Sequence, residues 1–247
     1  MKKALKIIAV LLVVTVGGAY GWFTYAEIQN RAAAGAPALT AIKSDAEVTA
    51  SNDGWLIMQP TNGSPTTGVI VYPGAYCKIE GYAQIMRGVA AAGYLVVGIN
   101  MPFGLSLMGV NSANSVKKAY PEINNWVLIG HSLGGAMAGT YIAQNPDAMD
   151  GLIFWDSYPA VSIKDVDIPT THIHRATLEG EPPQIFSEQR QMYPENTAWS
   201  PVPGGIHMYF GTFDGGNYLE LWEPKISNEA QLEIVTAATL EGIARAE

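Results

Sequence analysis

The residue types that could do chemistry centre on Ser132. It stands in Gly130-His-Ser-Leu-Gly134, between the apolar run Trp126-Val-Leu-Ile129 and a helical stretch from Gly135 to Asn145 that Pro146 stops. A parallel strand covered on both faces needs such an apolar run. Strand, Gly-x-Ser-x-Gly and helix in this order form a nucleophile elbow. The turn holds the serine in a strained conformation, and its neighbours two residues away on either side come too close to carry a Cβ. The hydroxyl then stands at the carboxyl end of the sheet, with the first amides of the new helix aimed at the same point. The plainer alternative is a strand-to-helix turn in which Ser132 only caps the helix.

A serine hydroxyl is a poor nucleophile at neutral pH and needs a base within hydrogen-bond reach. Among the four histidines, His207 follows the last strand in a Gly-Gly-x-His loop, where the order Ser, acid, His puts the base. His131 sits inside the elbow and is expected to point away from it. His172 and His174 share one face of a strand, and no third ligand at metal-binding spacing accompanies them, so they read as polar residues in or beside the sheet and no metal is expected. The acid must lie between Ser132 and His207 at a strand's carboxyl end. Glu179, in Thr177-Leu-Glu-Gly180 after the strand Thr170–Ala176, is the first choice. Asp156, directly after the preceding strand Gly151–Trp155, is the alternative, unless it only caps local amides. Asp165 and Asp167 lie in a polar loop. Two amides must bind the oxyanion: that of Leu133, and that of Ala75 in Pro73-Gly-Ala75, with Tyr76 as second choice. Tyr76, Met101, Phe103, Trp155 and Tyr158 are candidates to line an apolar substrate pocket, or to be plain packing.

These residues must be positioned by a sheet. Glu47–Ser51 and Trp55–Gln59 pair through the turn Asn52-Asp-Gly54. Buried strands are expected at 68–72, 94–100, 126–129, 151–155 and 170–176, with a short last strand at 197–202. Helices are expected at 81–92, 112–120, 135–145, 181–193 and 228–245, the last capped by Ser227 or Asn228. Strands alternating with helices require a mostly parallel sheet covered on both faces: an α/β fold of one domain. No insertion is long enough for a large lid, and the segment 179–193 is the only candidate for a partial one.

The chain has 247 residues, 48% of them hydrophobic and 15% charged, with net charge −8. That suits one domain with a sizeable core. Three of its fourteen Lys and Arg residues fall at positions 2, 3 and 6, which leaves 11 against 22 Asp and Glu in the remainder. Nothing in this balance favours a nucleic acid partner. Residues 7–26 carry no charge and have the length of a membrane span, with aromatics toward their end. Residues 1–28 are therefore expected to be an uncleaved membrane anchor that leaves the remainder outside the membrane, or alternatively a cleaved signal for secretion. Residues 29–45 read as a linker and 46–247 as the catalytic domain. The single cysteine, Cys77, excludes an intrachain disulfide.

Taken together, Tyr72-Pro-Gly-Ala75, Gly93-Tyr-Leu-Val-Val97, Gly130-His-Ser-Leu-Gly-Gly135, Ser157-Tyr-Pro159 and Gly204-Gly-Ile-His-Met-Tyr-Phe-Gly211 resemble the α/β-hydrolase superfamily. More narrowly, they resemble its compact dienelactone-hydrolase-like members with an N-terminal membrane segment. The resemblance implies the α/β-hydrolase fold and a Ser-acid-His hydrolase with Ser132 and His207 in the motif positions and no cofactor. The chain departs from that subgroup in having Glu179-Gly180 for its usual Asp-Gly and Ala75 for a second glycine. The expected activity is hydrolysis of small or short-chain carboxylic esters. Thioester, amide or polyester hydrolysis on the same site is the alternative, as is a degenerate hydrolase that serves as a binding module.

Overall fold

A computed structural model describes residues 2–247, with side chains at Ile8 and from Leu11 onward. Helix α1 (Lys2–Asn30) leads into a short strand β1 (Ala32–Ala34) and helix α2 (Ala36–Ala41). The hairpin β2 (Val48–Asp53) and β3 (Trp55–Pro60) follows, then β4 (Thr67–Tyr72), α3 (Ala83–Ala91), β5 (Leu95–Ile99) and α4 (Ala113–Ala119). The elbow lies between β6 (Asn125–His131) and α5 (Leu133–Gln144). After it come β7 (Gly151–Trp155), β8 (Thr170–Ala176), α6 (Gln184–Gln189), β9 (Ala198–Pro203), β10 (Phe213–Gly215) and α7 (Asn228–Ala244).

Every residue of β4, β5 and β7 is buried, as the continuous apolar runs require of strands covered on both faces. They lie in an eight-stranded sheet of order β2-β3-β5-β4-β6-β7-β8-β9. The pairs β2–β3 and β3–β5 are antiparallel and the others parallel. Alternate residues of one strand feed two cores, because successive side chains point to opposite faces. Val69 and Val71 of β4 pack with Ile85, Met86 and Val89 of α3 and with Val235 and Ile243 of α7. Ile70 and Tyr72 pack on the other face with Val116 of α4 and with Ala138 and Ile142 of α5. This is the α/β-hydrolase arrangement the sequence implies.

Three segments differ from expectation. The helix expected at 181–193 is only α6 followed by a 3₁₀ turn at Arg190–Met192; Pro183 stands at its N-cap with ψ 140° and disfavours a helical residue before it, so the helix starts only after it. The stretch expected to be a linker is packed. Strand β1 pairs antiparallel with β10, Ala32 exchanges backbone hydrogen bonds with Tyr76 and Lys78, and Ala38 is fully buried. Finally, among the described residues no helix is long and apolar enough to cross a membrane, so the spanning anchor is not supported. Met1 and the side chains of Lys2, Lys3, Lys6, Ile7, Ala9 and Val10, on which that expectation also rested, lie outside the described residues. The later part of α1 docks on the body. Tyr20 and Phe23 meet the ring of Phe103 at 5.5 and 5.4 Å, and Glu27 pairs with Lys78 at 2.9 Å.

Candidate active site

Ser132 sits between β6 and α5 at φ 51°, ψ −122°, a conformation that costs on the order of 1–3 kcal/mol outside glycine. The surroundings hold it there. A Cβ on Gly134 would lie 2.2 Å from the Tyr72 carbonyl oxygen, and one on Gly130 2.5 Å from the Gly134 carbonyl. Both glycines of the pentapeptide are therefore required by backbone contacts. The Ser132 amide donates to the Trp155 carbonyl at 3.2 Å, which ties the turn to the end of the neighbouring strand β7.

That neighbouring strand places a carboxylate against His207. Asp156 follows β7 directly, also at positive φ (45°), and its amide donates to the Ile173 carbonyl at 2.8 Å. Its fully buried carboxylate accepts from Nδ1 of His207 at 2.5 Å, from the Arg175 amide at 2.9 Å, and from the Arg175 guanidinium. Burial alone would raise the Asp156 carboxyl. The hydrogen bond and charge of His207 and the two Arg175 contacts outweigh it and hold the group well below the usual carboxylate range. Asp156 is therefore ionised.

The first-choice acid, Glu179, does not reach His207. It is exposed in the turn 177–181 and faces a surface groove with Trp222, Glu223 and Lys225. The reason is the strand order. Strand β7 lies beside β6, with Trp155 opposite His131, so the residue after β7 lands next to Ser132. Strand β8 is one place further out, and Glu179 is three residues beyond its end.

His207 begins a 3₁₀ turn after β9 and is 6% exposed. Its backbone is held from two sides. The Gln231 side chain on α7 accepts from the Ile206 amide at 2.9 Å and donates to the Ile206 carbonyl at 2.8 Å. The Glu220 carboxylate accepts the His207 amide at 2.8 Å. The imidazole lies between Tyr218 and His131, each with its ring centroid 4.5 Å away.

Backbone amides near Ser132 can be accounted for one by one. In the loop after β4, the Gly74 amide donates to the Tyr82 hydroxyl at 2.9 Å and the Tyr76 amide to the Gly104 carbonyl at 2.7 Å. Between them, the Ala75 amide has no intramolecular acceptor among the described residues. Leu133 is the first residue of α5, where an amide has no partner within the helix. Of the candidate donors, Ala75 and Leu133 are the free ones, and Tyr76 is occupied.

Two cavities open beside Ser132 and His207, of about 220 and 440 Å³. Tyr76 and Ala75 line the smaller, Tyr158 and Leu133 the larger, and Tyr218 both. Three expected pocket residues are elsewhere. Trp155 is buried, with its Nε1 donating to Thr239 at 3.0 Å. Phe103 lies against α1 rather than in either cavity. Met101 is in the core. His172 is fully buried among Phe154, Phe186, Tyr193 and Trp199; burial first, and then the neighbouring His174, keep it well below the usual histidine range. Among the described residues no three His, Cys, Asp or Glu side chains converge as metal ligands. The sequence reading missed Arg175, Gln231 and Glu220, which act through contacts that no local motif announces.

The description of the alpha/beta hydrolase family matches residues 68–233 of the sequence. The chain belongs to the alpha/beta hydrolase family. Solved structures similar to it include ferulic acid-bound Est1E from Butyrivibrio proteoclasticus (14% identity, 81% of this chain and 98% of that one, TM-score 0.58). Others are a soluble variant of monoglyceride lipase from Saccharomyces cerevisiae (11% identity, 83% and 97%, 0.57) and a Klebsiella pneumoniae protein classed as a dienelactone hydrolase (14% identity, 77% and 92%, 0.54). At these identities the likeness is one of fold. No curated protein sequence matches the chain. The alpha/beta hydrolase fold thus brings Ser132, His207 and Asp156 to the carboxyl end of the sheet, an arrangement able to perform acyl transfer.

Proposed function

We propose that this alpha/beta hydrolase is a serine hydrolase that cleaves carboxylic esters. The observation that carries this reading is the joint placement of Ser132 on a strained elbow and of His207 with its Nδ1 held on an ionised, buried Asp156. Ser132 Oγ attacks the ester carbonyl while His207 Nε2 takes its proton, and the oxyanion receives the amides of Leu133 and Ala75. His207 returns the proton to the departing alcohol, leaving an acyl-enzyme. Water then attacks, again through His207, and releases the acid and free Ser132. Asp156 fixes the tautomer of His207 and stabilises its cation without itself taking a proton.

The size of the cavities supports small or short-chain esters. The larger, about 440 Å³, lies in the lower part of the range that holds drug-sized ligands. A fluorophosphonate probe and a series of p-nitrophenyl esters of increasing acyl length test the proposal on the full chain. Labelling of the wild type and none of Ser132→Ala is expected, with turnover greatest on short acyl groups. Equal labelling of both proteins would sink the hydrolase reading, and equal turnover of long-chain emulsified lipids would sink the substrate class.

A further inference from the structure

A second histidine, which the catalytic reading does not use, lies inside the elbow. His131 is fully buried between Tyr82 and His207. Its Nδ1 is 2.8 Å from the Tyr82 hydroxyl and its Nε2 is 3.2 Å from the His207 carbonyl oxygen. The same Tyr82 hydroxyl accepts the Gly74 amide at 2.9 Å.

The donors along this chain follow from the groups at its two ends. The Gly74 N–H can only donate, so the Tyr82 oxygen accepts there. The Tyr82 proton is then directed to Nδ1 of His131. The His207 carbonyl can only accept, so Nε2 of His131 carries the ring proton. One neutral tautomer satisfies every group. Burial, with His207 as a further cause, holds His131 well below the usual histidine range, which keeps it neutral. Burial also lifts Tyr82 well above its ordinary range and the adjacent Cys77 thiol to about 11, so neither ionises. The sequence Gly74 N–H, Tyr82 O–H, His131 Nε2–H, His207 C=O is a fully satisfied buried network, of the kind that rigidifies what it joins.

What it joins are two parts of the active site that no secondary-structure element connects directly. At one end is the loop carrying the Ala75 amide. At the other is the backbone of the residue carrying the general base. We infer that Tyr82 and His131 are positioning residues that lock the oxyanion-binding loop and the His207 backbone into one register around Ser132. The inference rests on the serine hydrolase reading above. Packing supports it as well: a Cβ on Gly74 would stand 2.9 Å from His131 Nδ1 and 3.3 Å from both Ser132 Cβ and the Tyr82 hydroxyl, so loop, nucleophile and relay are in mutual contact.

Steady-state kinetics of the full chain on p-nitrophenyl acetate test the inference with Tyr82→Phe, His131→Leu and His131→Gln, alongside melting temperatures. An amide, like the neutral imidazole, carries one acceptor and one donor, so His131→Gln can rebuild both bonds. A misplacement of about 1 Å at a reacting centre costs roughly 10²-fold. Turnover is expected to fall roughly 10- to 100-fold in Tyr82→Phe and His131→Leu, with KM little changed, and to recover substantially in His131→Gln. A purely structural role would lower the melting temperature of His131→Leu and leave turnover per folded molecule unchanged. That outcome, or full turnover in Tyr82→Phe, overturns the inference and leaves the hydrolase reading standing. A wild type that neither reacts with a fluorophosphonate nor hydrolyses the ester overturns both.

Discussion

Replacing Asp156 by asparagine separates its electrostatic role from its shape. The side chain is fully buried and bonded to His207 Nδ1 at 2.5 Å. With charge centres about 4 Å apart and an effective dielectric constant of about 20, the carboxylate favours the His207 cation by about 4 kcal/mol. That corresponds to about 10³ in rate. An amide group in its place can also donate to Nδ1. That would leave the proton on Nε2, the atom that must take the Ser132 proton, and loss of the correct tautomer is worth about 10⁴ in a comparable triad. Turnover of Asp156→Asn on p-nitrophenyl acetate is therefore expected to fall by about 10³–10⁴. The same change leaves the Arg175 guanidinium, 13% exposed, without its counter-charge, which costs on the order of 3–5 kcal/mol of stability. Adding Arg175→Gln removes the orphaned charge, so the double variant should regain stability but not turnover. Glu179→Gln is the control, expected to stay within about twofold of wild type, as surface changes away from a site usually do. Strong loss in Glu179→Gln together with retained turnover in Asp156→Asn, each normalised to folded protein, would refute this assignment of the acid.

Three further outcomes are expected. Gly134→Ala places a Cβ 2.2 Å from a backbone carbonyl; it should abolish soluble folded protein or lower its melting temperature sharply, and a normal melting curve would show that the elbow has room to relax. His131 and His172 are held neutral in the fold by burial, whereas in the unfolded chain both protonate below about pH 6.5. The unfolded state then binds the extra protons, so stability is complete above that pH and falls as pH is lowered, by up to about 2.7 kcal/mol per unit for two groups; urea midpoints unchanged from pH 7 to pH 5 would contradict this. Phe186 and Met137 line the larger cavity, so Phe186→Ala should move the acyl-length optimum upward and Met137→Trp should move it downward, read on the p-nitrophenyl ester series.

That Asp156 and not the first-choice Glu179 meets His207 shows what kind of information a single sequence carries. Ser132 was legible because its geometry is local: the apolar strand, the two glycines and the helix start all lie within the eleven residues Asn125–Gly135, and Gly130 and Gly134 are constrained by atoms only a few residues away or on the adjoining strand. His207 was legible because the last strand of the sheet must deliver it to the same edge. The acid depends instead on which strand end stands beside β6, and that is set by the order β6-β7-β8. Periodicity does not reveal strand order. The local signal that could have favoured Asp156 is its position directly after Trp155, with no residues spent in a turn, while Glu179 lies three residues past Ala176. Asp156 was the alternative acid, with a turn carboxylate capping local amides as its plainer reading.

The same reasoning explains why Arg175 escaped notice and why it matters. On its own it is one arginine at the end of a strand. Only the pairing of β7 with β8 puts its amide and guanidinium on the two oxygens of Asp156. A carboxylate buried beside a histidine alone would gain its charge at a high desolvation cost. With Arg175 in contact, Asp156 is ionised before any imidazolium forms, so in the proposed mechanism the acid is already organised when Ser132 gives up its proton. The elbow places Ser132 with eleven contiguous residues of strand, turn and helix start, Asn125–Gly135, whereas the charge state of Asp156 is fixed by a strand that the elbow never touches in sequence.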